Sequence, residues 1–405
     1  MWATFAGTGP SIMSASAAPC RIAFVLFLAA GLVLLARILP VPSGYDELQH
    51  LSYVAAVQER PTLRPPFAAM RVLDVDDLRA WTAAANWHSH PAVFYLLATP
   101  LLDRALPVAE ALLPLRLVAF ALVAIGVAVV LAAGMRLFAQ DPAARLGFCL
   151  LVALAPQFVL AAAHFNNDAM GVLGGALAYG ALALRAGRGR DALLAAGIVL
   201  AFWAKLNAGL LVGAWAFGVA LLLRDPRLAA VSVAACAVGA LPHLDTLWLH
   251  GALVPVTYDS VHRADAVPGP LAERVAVFAA RFALSWGFAM TGHPVNAVAF
   301  VALLGCILWG AWVALRRGAR APREAVALAG VGAFLLLLAV QAAYAIGPLA
   351  GSTAAAQFRY HFPLWPMLAH AAVLPATQPA TPAGRRIVMA LLAASLIGAM
   401  VVAPP

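Results

Sequence analysis

The sequence predicts an all-α integral membrane protein with about eleven transmembrane helices and a long first outer loop carrying juxtamembrane helices. Three observations lead to this fold class. Hydrophobic residues make up 64% of the 405 residues and charged residues only 11%, whereas soluble domains are about half apolar. The mean hydropathy is +0.91. Apolar runs such as 115–138 and 325–346 reach the roughly 20 residues that cross a bilayer core.

The arginines set the expected orientation of the chain. The formal net charge is +9, but the basic residues are spread over short connections between apolar runs. Such connections usually stay in the cytoplasm, so the excess charge reports topology and indicates no nucleic-acid partner. The clusters are Arg185, Arg188 and Arg190; Arg224 and Arg227; Arg316, Arg317, Arg320 and Arg323; and Arg385 and Arg386.

With these clusters in the cytoplasm, the chain divides into a cytoplasmic tail, 1–20, and a single polytopic membrane domain, 21–405. The first apolar run is expected to be retained, because it lacks a clean small-residue cleavage site. Pro91–Pro107 is expected to lie on the outer face, since its crossing would invert every later basic loop. The expected spans are 22–40, 115–138, 145–163, 169–185, 191–204, 208–223, 228–248, 295–315, 324–346, 360–376 and 386–403. The expected outer loops are 41–114, 164–168, 249–294 and 347–358.

An acidic pair, Asp46 and Glu47, opens the first outer loop. Charged residues in a membrane setting are costly to place and usually functional. The pair follows a Pro-Ser-Gly turn and begins a predicted helix, where acids favour the first turn. The spacing puts Asp46, His50 and Tyr53 on one helical face. Two interpretations stay open: an ordinary acidic first turn, or a general base for a hydroxyl acceptor.

A second acidic residue, Asp168, ends the short outer turn 164–168, which also contains Asn167. Polar residues of this kind can cap the helix that follows them. Alternatively, Asp168 faces Asp46 across the outer surface. The sequence leaves both interpretations open.

Two histidines, His88 and His90, precede the apolar stretch of the first outer loop. Imidazole can hold a metal, act as an acid or base, or donate to phosphate. No HExxH or comparable spacing supports a metal, so the other roles are favoured. The four cysteines form no CxxC pair, and we expect them to serve as small packing residues.

Two cations, Lys205 and Arg359, lie at the expected outer ends of spans. Each could extend toward lipid headgroups. Together they could instead hold a phosphate whose charge grows as it leaves. The second outer loop contains polar residues able to cover such a site, namely Tyr258, Asp259, His262, Arg263 and Asp265.

These motifs, taken in order, resemble the GT-C superfamily of polytopic glycosyltransferases, in particular bacterial relatives of protein O-mannosyltransferases and lipid A aminoarabinose transferases. The acidic motif that opens the first outer loop is matched by Asp46-Glu47. A His/Lys-Pro-Pro-Leu-Tyr-Tyr segment is matched loosely by 90–97, and a later acidic residue by Asp168. The Arg-Tyr-x-x-Pro motif corresponds to 359–363. The resemblance extends from Tyr45 to about Pro366.

The sequence also departs from this pattern. Ala92 stands where a second proline is usual, and Ser89 where several relatives carry a glutamate that helps to hold a metal. No large soluble domain follows the last expected span. These departures bear on metal dependence and on the acceptor more than on the fold.

The resemblance implies an inverting transfer of a sugar from a polyprenyl-phosphate carrier to an acceptor glycan, lipid or protein, outside a bacterial inner membrane. No cofactor is certain, and a divalent metal is possible. The implied partners are the lipid-linked donor and membrane lipid. The implied catalytic residues are Asp46, Glu47 and Asp168, and the implied binding residues are His50, His88, His90, Tyr95, Asn167, Lys205, Arg359 and Tyr360.

Two other classes compete with the transferase. One is a transporter or flippase of lipid-linked sugars, in which polar residues should lie near the midplane of broken helices. The other is a non-catalytic membrane scaffold, which needs no carboxylate pair beside cations. The polar residues of this sequence gather at one expected face, which favours the transferase.

Overall fold

A computed structural model describes residues 17–38, 46–86, 88–253, 269–286, 294–347, 356–377 and 381–400. It is 79% helical. The α-helices are α1 (Ala18–Ile38), α2 (Glu47–Glu59), α3 (Val93–Ala98), α4 (Val108–Leu137), α5 (Pro142–Ala153), α6 (Pro156–Ala163), α7 (Asp168–Ala181), α8 (Arg188–Ala204), α9 (Leu206–Leu223), α10 (Pro226–His250), α11 (Leu271–Leu284), α12 (Pro294–Arg317), α13 (Pro322–Ile346), α14 (Trp365–Val373) and α15 (Pro382–Met400). Short 3₁₀ segments are Phe67–Ala69, Thr99–Leu101, Phe358–Leu364 and Leu374–Ala376.

Within the described residues, six helices are long and apolar enough to cross a membrane, namely α1, α4, α9, α10, α12 and α13. They confirm a multi-pass helical membrane protein. The other expected spans coincide with shorter or interrupted helices, such as α5 and α6, which are separated before Pro156, except that 386–403 overlaps the 19-residue α15. The central helix α7 has 14 residues and is almost entirely buried, so its length does not have to match the lipid. The count of about eleven spans therefore stays a prediction.

The segment expected to be the first outer loop contains a small antiparallel sheet that the all-α prediction missed. Strand β1 (Arg71–Leu73) pairs with strand β2 (Trp81–Ala85). The strands have only three and five residues, too few to show a clear alternating pattern in the sequence. The stretch 91–107 forms the six-residue helix α3 and a 3₁₀ turn. A helix of this length is too short to cross a bilayer, in line with the expectation that this stretch stays outside.

Glycines in α7 allow two neighbouring segments to approach its backbone closely. A Cβ atom added at Gly174 would lie 2.7 Å from the backbone nitrogen of Ala201 and the carbonyl oxygen of Gly197. Small residues allow such close helix packing in membranes. A Cβ at Gly175 would overlap the carbonyl oxygen of Pro363. The helix α7 therefore fixes the position of α8 and of the 3₁₀ segment that carries Arg359.

Charged side chains gather at two opposite ends of the helical bundle. At the first, which we call the arginine end, Arg190 pairs with Asp191 and Asp225, and further pairs are Arg227–Asp191, Arg323–Asp141 and Arg317–Glu324. At the second, which we call the cavity end, the pairs are Asp46–Arg359, Asp168–Lys205 and Glu47–Arg116. Helix α8 joins the two ends, and its 17 residues correspond to about 25 Å.

Candidate active site at the cavity end

A cavity of about 410 Å³ lies at the cavity end. One wall is polar and comes from the first outer loop, the α8–α9 junction and the 3₁₀ segment after α13. The other wall is apolar and comes mainly from α9 and α13. The polar lining residues are Asp46, His88, Ser89, His90, Lys205, Asn207, His243, Gln341, Arg359 and Tyr360, and the others are Leu206, Leu210, Leu253, Leu337, Val340 and Tyr344.

Asp46 stands immediately before α2, at the position where an aspartate usually caps a helix. Its backbone is left-handed, with φ 58° and ψ 30°, and its side chain caps none of the described α2 amides. Aspartate tolerates this conformation better than most residues. One of its carboxylate oxygens, Oδ2, accepts a hydrogen bond of 2.8 Å from Arg359 Nη2. The backbone geometry thus directs the carboxylate into the cavity.

The cations around Asp46 determine its basicity. Burial raises the pKa of the Asp46 carboxyl, but the charge and hydrogen bond of Arg359, together with the charge of Lys205, lower it by more, so the pKa lies below its ordinary value. The carboxylate is therefore ionised at neutral pH. In this paired arrangement it is also a weak base.

Lys205 occupies the extended break between α8 and α9, and its ammonium donates a 2.5 Å hydrogen bond to Asp168 Oδ1. The second oxygen of Asp168 is buried without a hydrogen-bond partner among the described residues. Asn167, not Asp168, holds the N-cap position of α7, and its side-chain amide donates to the Ala204 carbonyl at 2.7 Å. Asn167 and Asp168 therefore lie behind the cavity wall and position Lys205.

The ring of Tyr360 brings the two cations into one patch. Lys205 Nζ lies 5.9 Å and the Arg359 guanidinium carbon 5.5 Å from the ring centroid. Both distances fall within the range of cation–π attraction. An anion in the cavity could meet Lys205 and Arg359 together.

The histidines are held by a stacked aromatic column. His50 stacks on His88 at 4.1 Å between centroids, and its Nδ1 lies 2.9 Å from the Tyr95 hydroxyl. Tyr95 stacks on Tyr53 at 3.8 Å, and the Tyr53 hydroxyl donates to the His90 carbonyl at 2.6 Å. His88 and His90 line the cavity, whereas His50 and Tyr95, expected to bind substrate, lie behind and support them.

Burial keeps these histidines neutral. It lowers the pKa of His88 to about 4 and the pKa values of His50 and His90 well below the ordinary range. Among the described residues, no group of three or more His, Cys, Asp or Glu side chains could hold a metal ion. The described residues of the cavity therefore do not fit a bound metal ion.

Glu47, expected to be catalytic, lies in the dry core beside the cavity. Its oxygens accept bonds of 2.8 and 2.6 Å from Arg116, and the Phe165 amide donates to it at 2.9 Å. Both side chains of the Glu47–Arg116 pair are 0% exposed. The pair ties α2 to α4 and to the turn before Asp168, so this geometry places Glu47 in a supporting position.

The sequence patterns did not point to Arg116, His243 or Gln341, or to the apolar residues that line the cavity. Arg116 and His243 stand inside apolar stretches, where an ionisable residue signals function or a buried partner. Gln341 Oε1 accepts a hydrogen bond of 3.0 Å from His361 Nε2, and Gln341 Nε2 donates to the Gln357 carbonyl. The polar residues 258–265, expected to cover the site, lie outside the described residues.

Comparison of the chain with protein-family models, curated proteins and solved structures gives no match. The site geometry and the motif resemblance are therefore the grounds on which a function is proposed.

Proposed function

We propose that this protein is an inverting GT-C-type glycosyltransferase that moves a sugar from a polyprenyl-phosphate carrier to an acceptor at the outer face of a bacterial inner membrane. One observation carries the proposal. A single cavity combines an ionised carboxylate, Asp46, two buried cations, Lys205 and Arg359, and an apolar wall. A lipid-linked sugar phosphate needs these three surfaces together.

The apolar wall fits the prenyl tail. Leu210 of α9 and Val340 of α13 line the cavity and are 55% and 58% exposed. In a helix that spans a membrane, such exposed apolar side chains face lipid. The wall is thus continuous with the lipid-facing surface, and a prenyl chain can lie along it while its phosphate reaches the cations.

The polar wall fits a single displacement. Asp46 takes the proton of the acceptor hydroxyl while that oxygen bonds to the anomeric carbon from the side opposite the phosphate. The bond between the anomeric carbon and the phosphate oxygen breaks, and its electron pair leaves with polyprenyl phosphate. The phosphate charge changes from −1 to −2, so Lys205 and Arg359 stabilise the leaving group more strongly in the transition state.

The remaining site residues position these groups. Asp168 and Asn167 hold Lys205, and Glu47 with Arg116 anchors the start of α2 next to Asp46. The neutral imidazoles of His88 and His90 can donate hydrogen bonds to sugar hydroxyls. Tyr360 lies between the cations on the cavity wall.

The proposed orientation places the arginine end in the cytoplasm and the cavity end outside, because basic connections usually remain inside. Single cysteines at Asp74 and Arg188 test it. We expect an impermeant maleimide added outside intact cells to label position 74 and to label position 188 only after lysis. The reverse pattern would show that the orientation is wrong.

A transfer assay in proteoliposomes tests the activity. Purified protein is given a panel of polyprenyl-phosphate sugars labelled in the sugar, together with envelope extracts as acceptors. We expect the label to leave the carrier for an acceptor and free polyprenyl phosphate to accumulate, neither of which occurs with boiled protein. Recovery of the intact lipid-linked sugar in the opposite leaflet would support a transporter instead.

A further inference from the structure

Both cations that would hold the donor phosphate are already paired in this structure. Arg359 Nη2 lies 2.8 Å from Asp46 Oδ2, and Lys205 Nζ lies 2.5 Å from Asp168 Oδ1. The two cationic side chains are each only 9% exposed. A phosphate entering the cavity therefore has to compete with a carboxylate for at least one of them.

The charge balance makes this competition costly. The two carboxylates and two cations sum to zero, and the histidines beside them, His88 and His90, are neutral. A phosphodiester adds one negative charge to a partly buried cavity, where unpaired charge is expensive. The cost falls if the phosphate takes over the cation and the carboxylate turns toward the cavity mouth.

The two carboxylates differ in their freedom to move. Asp168 begins the buried helix α7, lies behind Lys205, and its side chain is 7% exposed. Asp46 lines the cavity, its side chain is 33% exposed, and it caps none of the described α2 amides. Rotation of the Asp46 side chain therefore breaks one ion pair and leaves the helix hydrogen bonds in place.

We propose that the donor phosphate displaces the Asp46 carboxylate from Arg359, and that this exchange turns Asp46 from a counter-ion into the reactive base. The proposal rests on the proposed transfer function, and it adds that donor binding regulates the basicity of Asp46. Before the donor binds, the arginine holds Asp46 in a weakly basic form. After binding, the phosphate neutralises the arginine and Asp46 faces the acceptor.

The surroundings of Asp46 explain the gain in basicity. Among the described residues, the titratable and charged groups that line the cavity with it are His88 and His90 from the first loop, Lys205, His243 of α10, Tyr344 of α13, and Arg359 with Tyr360. Of these, Arg359 is the largest influence that lowers the Asp46 pKa. When a phosphate neutralises Arg359, the effect of burial remains, and burial raises the pKa.

Binding of a sugar-free donor mimic tests the exchange. The probe is a short-chain polyprenyl methyl phosphate, a monoanion at all working pH values, measured by calorimetry on the full-length protein in lipid nanodiscs. If Asp46 competes for Arg359, Asp46→Asn should bind the probe about three- to tenfold more tightly than the wild type. Arg359→Ala should bind it about tenfold more weakly.

Two variants of Asp46 and one control variant test whether the change in affinity comes from the loss of the Asp46 carboxylate. Asparagine and glycine both tolerate the left-handed backbone of position 46, so Asp46→Asn and Asp46→Gly should fold and should both tighten binding. Asp245→Asn removes a comparable 2.8 Å carboxylate–arginine pair with Arg64 outside the cavity and should leave the affinity unchanged. Equal or weaker binding by both Asp46 variants would overturn the exchange.

The binding readout also separates this proposal from the proposed function. Tighter binding by the Asp46 variants without any sugar transfer by the wild type would support displacement of Asp46 by a lipid phosphate but overturn the transferase, and with it the role of Asp46 as a base. Transfer by the wild type without tighter binding by the variants would overturn the exchange alone.

Discussion

The two charged ends of the bundle are built from the same components and differ in what those components enclose. At the arginine end, pairs of carboxylates and arginines hold the short connections between helices together. Asp191, for example, accepts hydrogen bonds from both Arg190 and Arg227. At the cavity end, the pairs of Asp46 and Lys205 border a cavity of about 410 Å³ with an apolar wall. Ion pairs occur at both ends, so ion pairs alone do not mark a reaction site. Under the proposed function, the cavity that the pairs border makes the difference.

The same contrast occurs between two consecutive residues at the cavity end. Asp46 and Glu47 each pair with one arginine, but the Asp46 side chain is 33% exposed and the Glu47 side chain is 0% exposed. Glu47 accepts three hydrogen bonds from Arg116 and Phe165. One carboxylate is available for chemistry, and its neighbour holds the architecture that positions it.

The largest difference between the two ends is expected in the turnover of variants that lose one carboxylate. Asp46→Asn should lower the rate of sugar transfer about 10²- to 10⁴-fold, the usual loss for a general base. Asp141→Asn, which breaks the pair with Arg323 at the arginine end, should leave turnover within about twofold. Initial rates of purified, folded variants measure both. Wild-type turnover in Asp46→Asn would remove Asp46 from the mechanism.

The next largest difference is expected in the free energy of unfolding of variants that lose one arginine at either end. Arg116→Met removes the arginine that neutralises the buried Glu47 carboxylate, which should reduce the free energy of unfolding by about 3–5 kcal/mol. Arg227→Met, at the arginine end, removes a side chain that is 57% exposed and leaves its partner Asp191 paired with Arg190, so it should cost about 1 kcal/mol or less. Unfolding of both variants in mixed micelles measures the difference. The double change Glu47→Leu with Arg116→Met should recover much of the loss, and no recovery would contradict a paired role for the two residues.

Acid should weaken the protein through the cavity end. The pKa of buried His88 is about 4, below the ordinary histidine value of about 6.5, so the unfolded chain binds the proton more readily. The part of the free energy of unfolding that depends on neutral His88 is therefore fully present above about pH 6.5 and is lost as the pH falls toward 4. At pH 4.5 the loss due to His88 should be about 2 kcal/mol. His88→Gln should reduce this loss in unfolding experiments at pH 7 and 4.5. The exposed His250→Gln serves as the control, and an equal acid loss in His88→Gln would contradict the prediction.

The smallest expected effect concerns the two cations. Lys205→Ala and Arg359→Ala should each lower kcat/KM for the donor about tenfold, and the double variant should lose less than the sum because both contact one phosphate. Turnover measured against carrier concentration for the three variants decides this. Fully additive losses would argue against a shared phosphate, and changes within about twofold would indicate that the side chains only reach toward headgroups.

The sequence was sufficient to predict the helical membrane fold and to name most residues at the cavity. The apolar runs coincide with helices because lipid requires every backbone group to be bonded within its own segment. The pairing of charges was not predictable, since Arg359 and Asp46 are 313 positions apart. Their meeting depends on the close approach of Pro363 to Gly175, a packing detail with no periodic signal. The short sheet β1–β2 was missed for the same kind of reason.

The exposed apolar wall has a consequence for kinetics. A lipid-linked substrate that enters the cavity from the bilayer, past Leu210 and Val340, diffuses in the plane of the membrane. Its effective concentration is therefore its mole fraction in the bilayer. Added inert lipid then dilutes the donor without changing its amount per volume of sample. Under the proposed function, long-chain detergents bound to the same wall should compete with the donor. Rate constants for this protein therefore have physical meaning only when the composition of the surrounding lipid is stated.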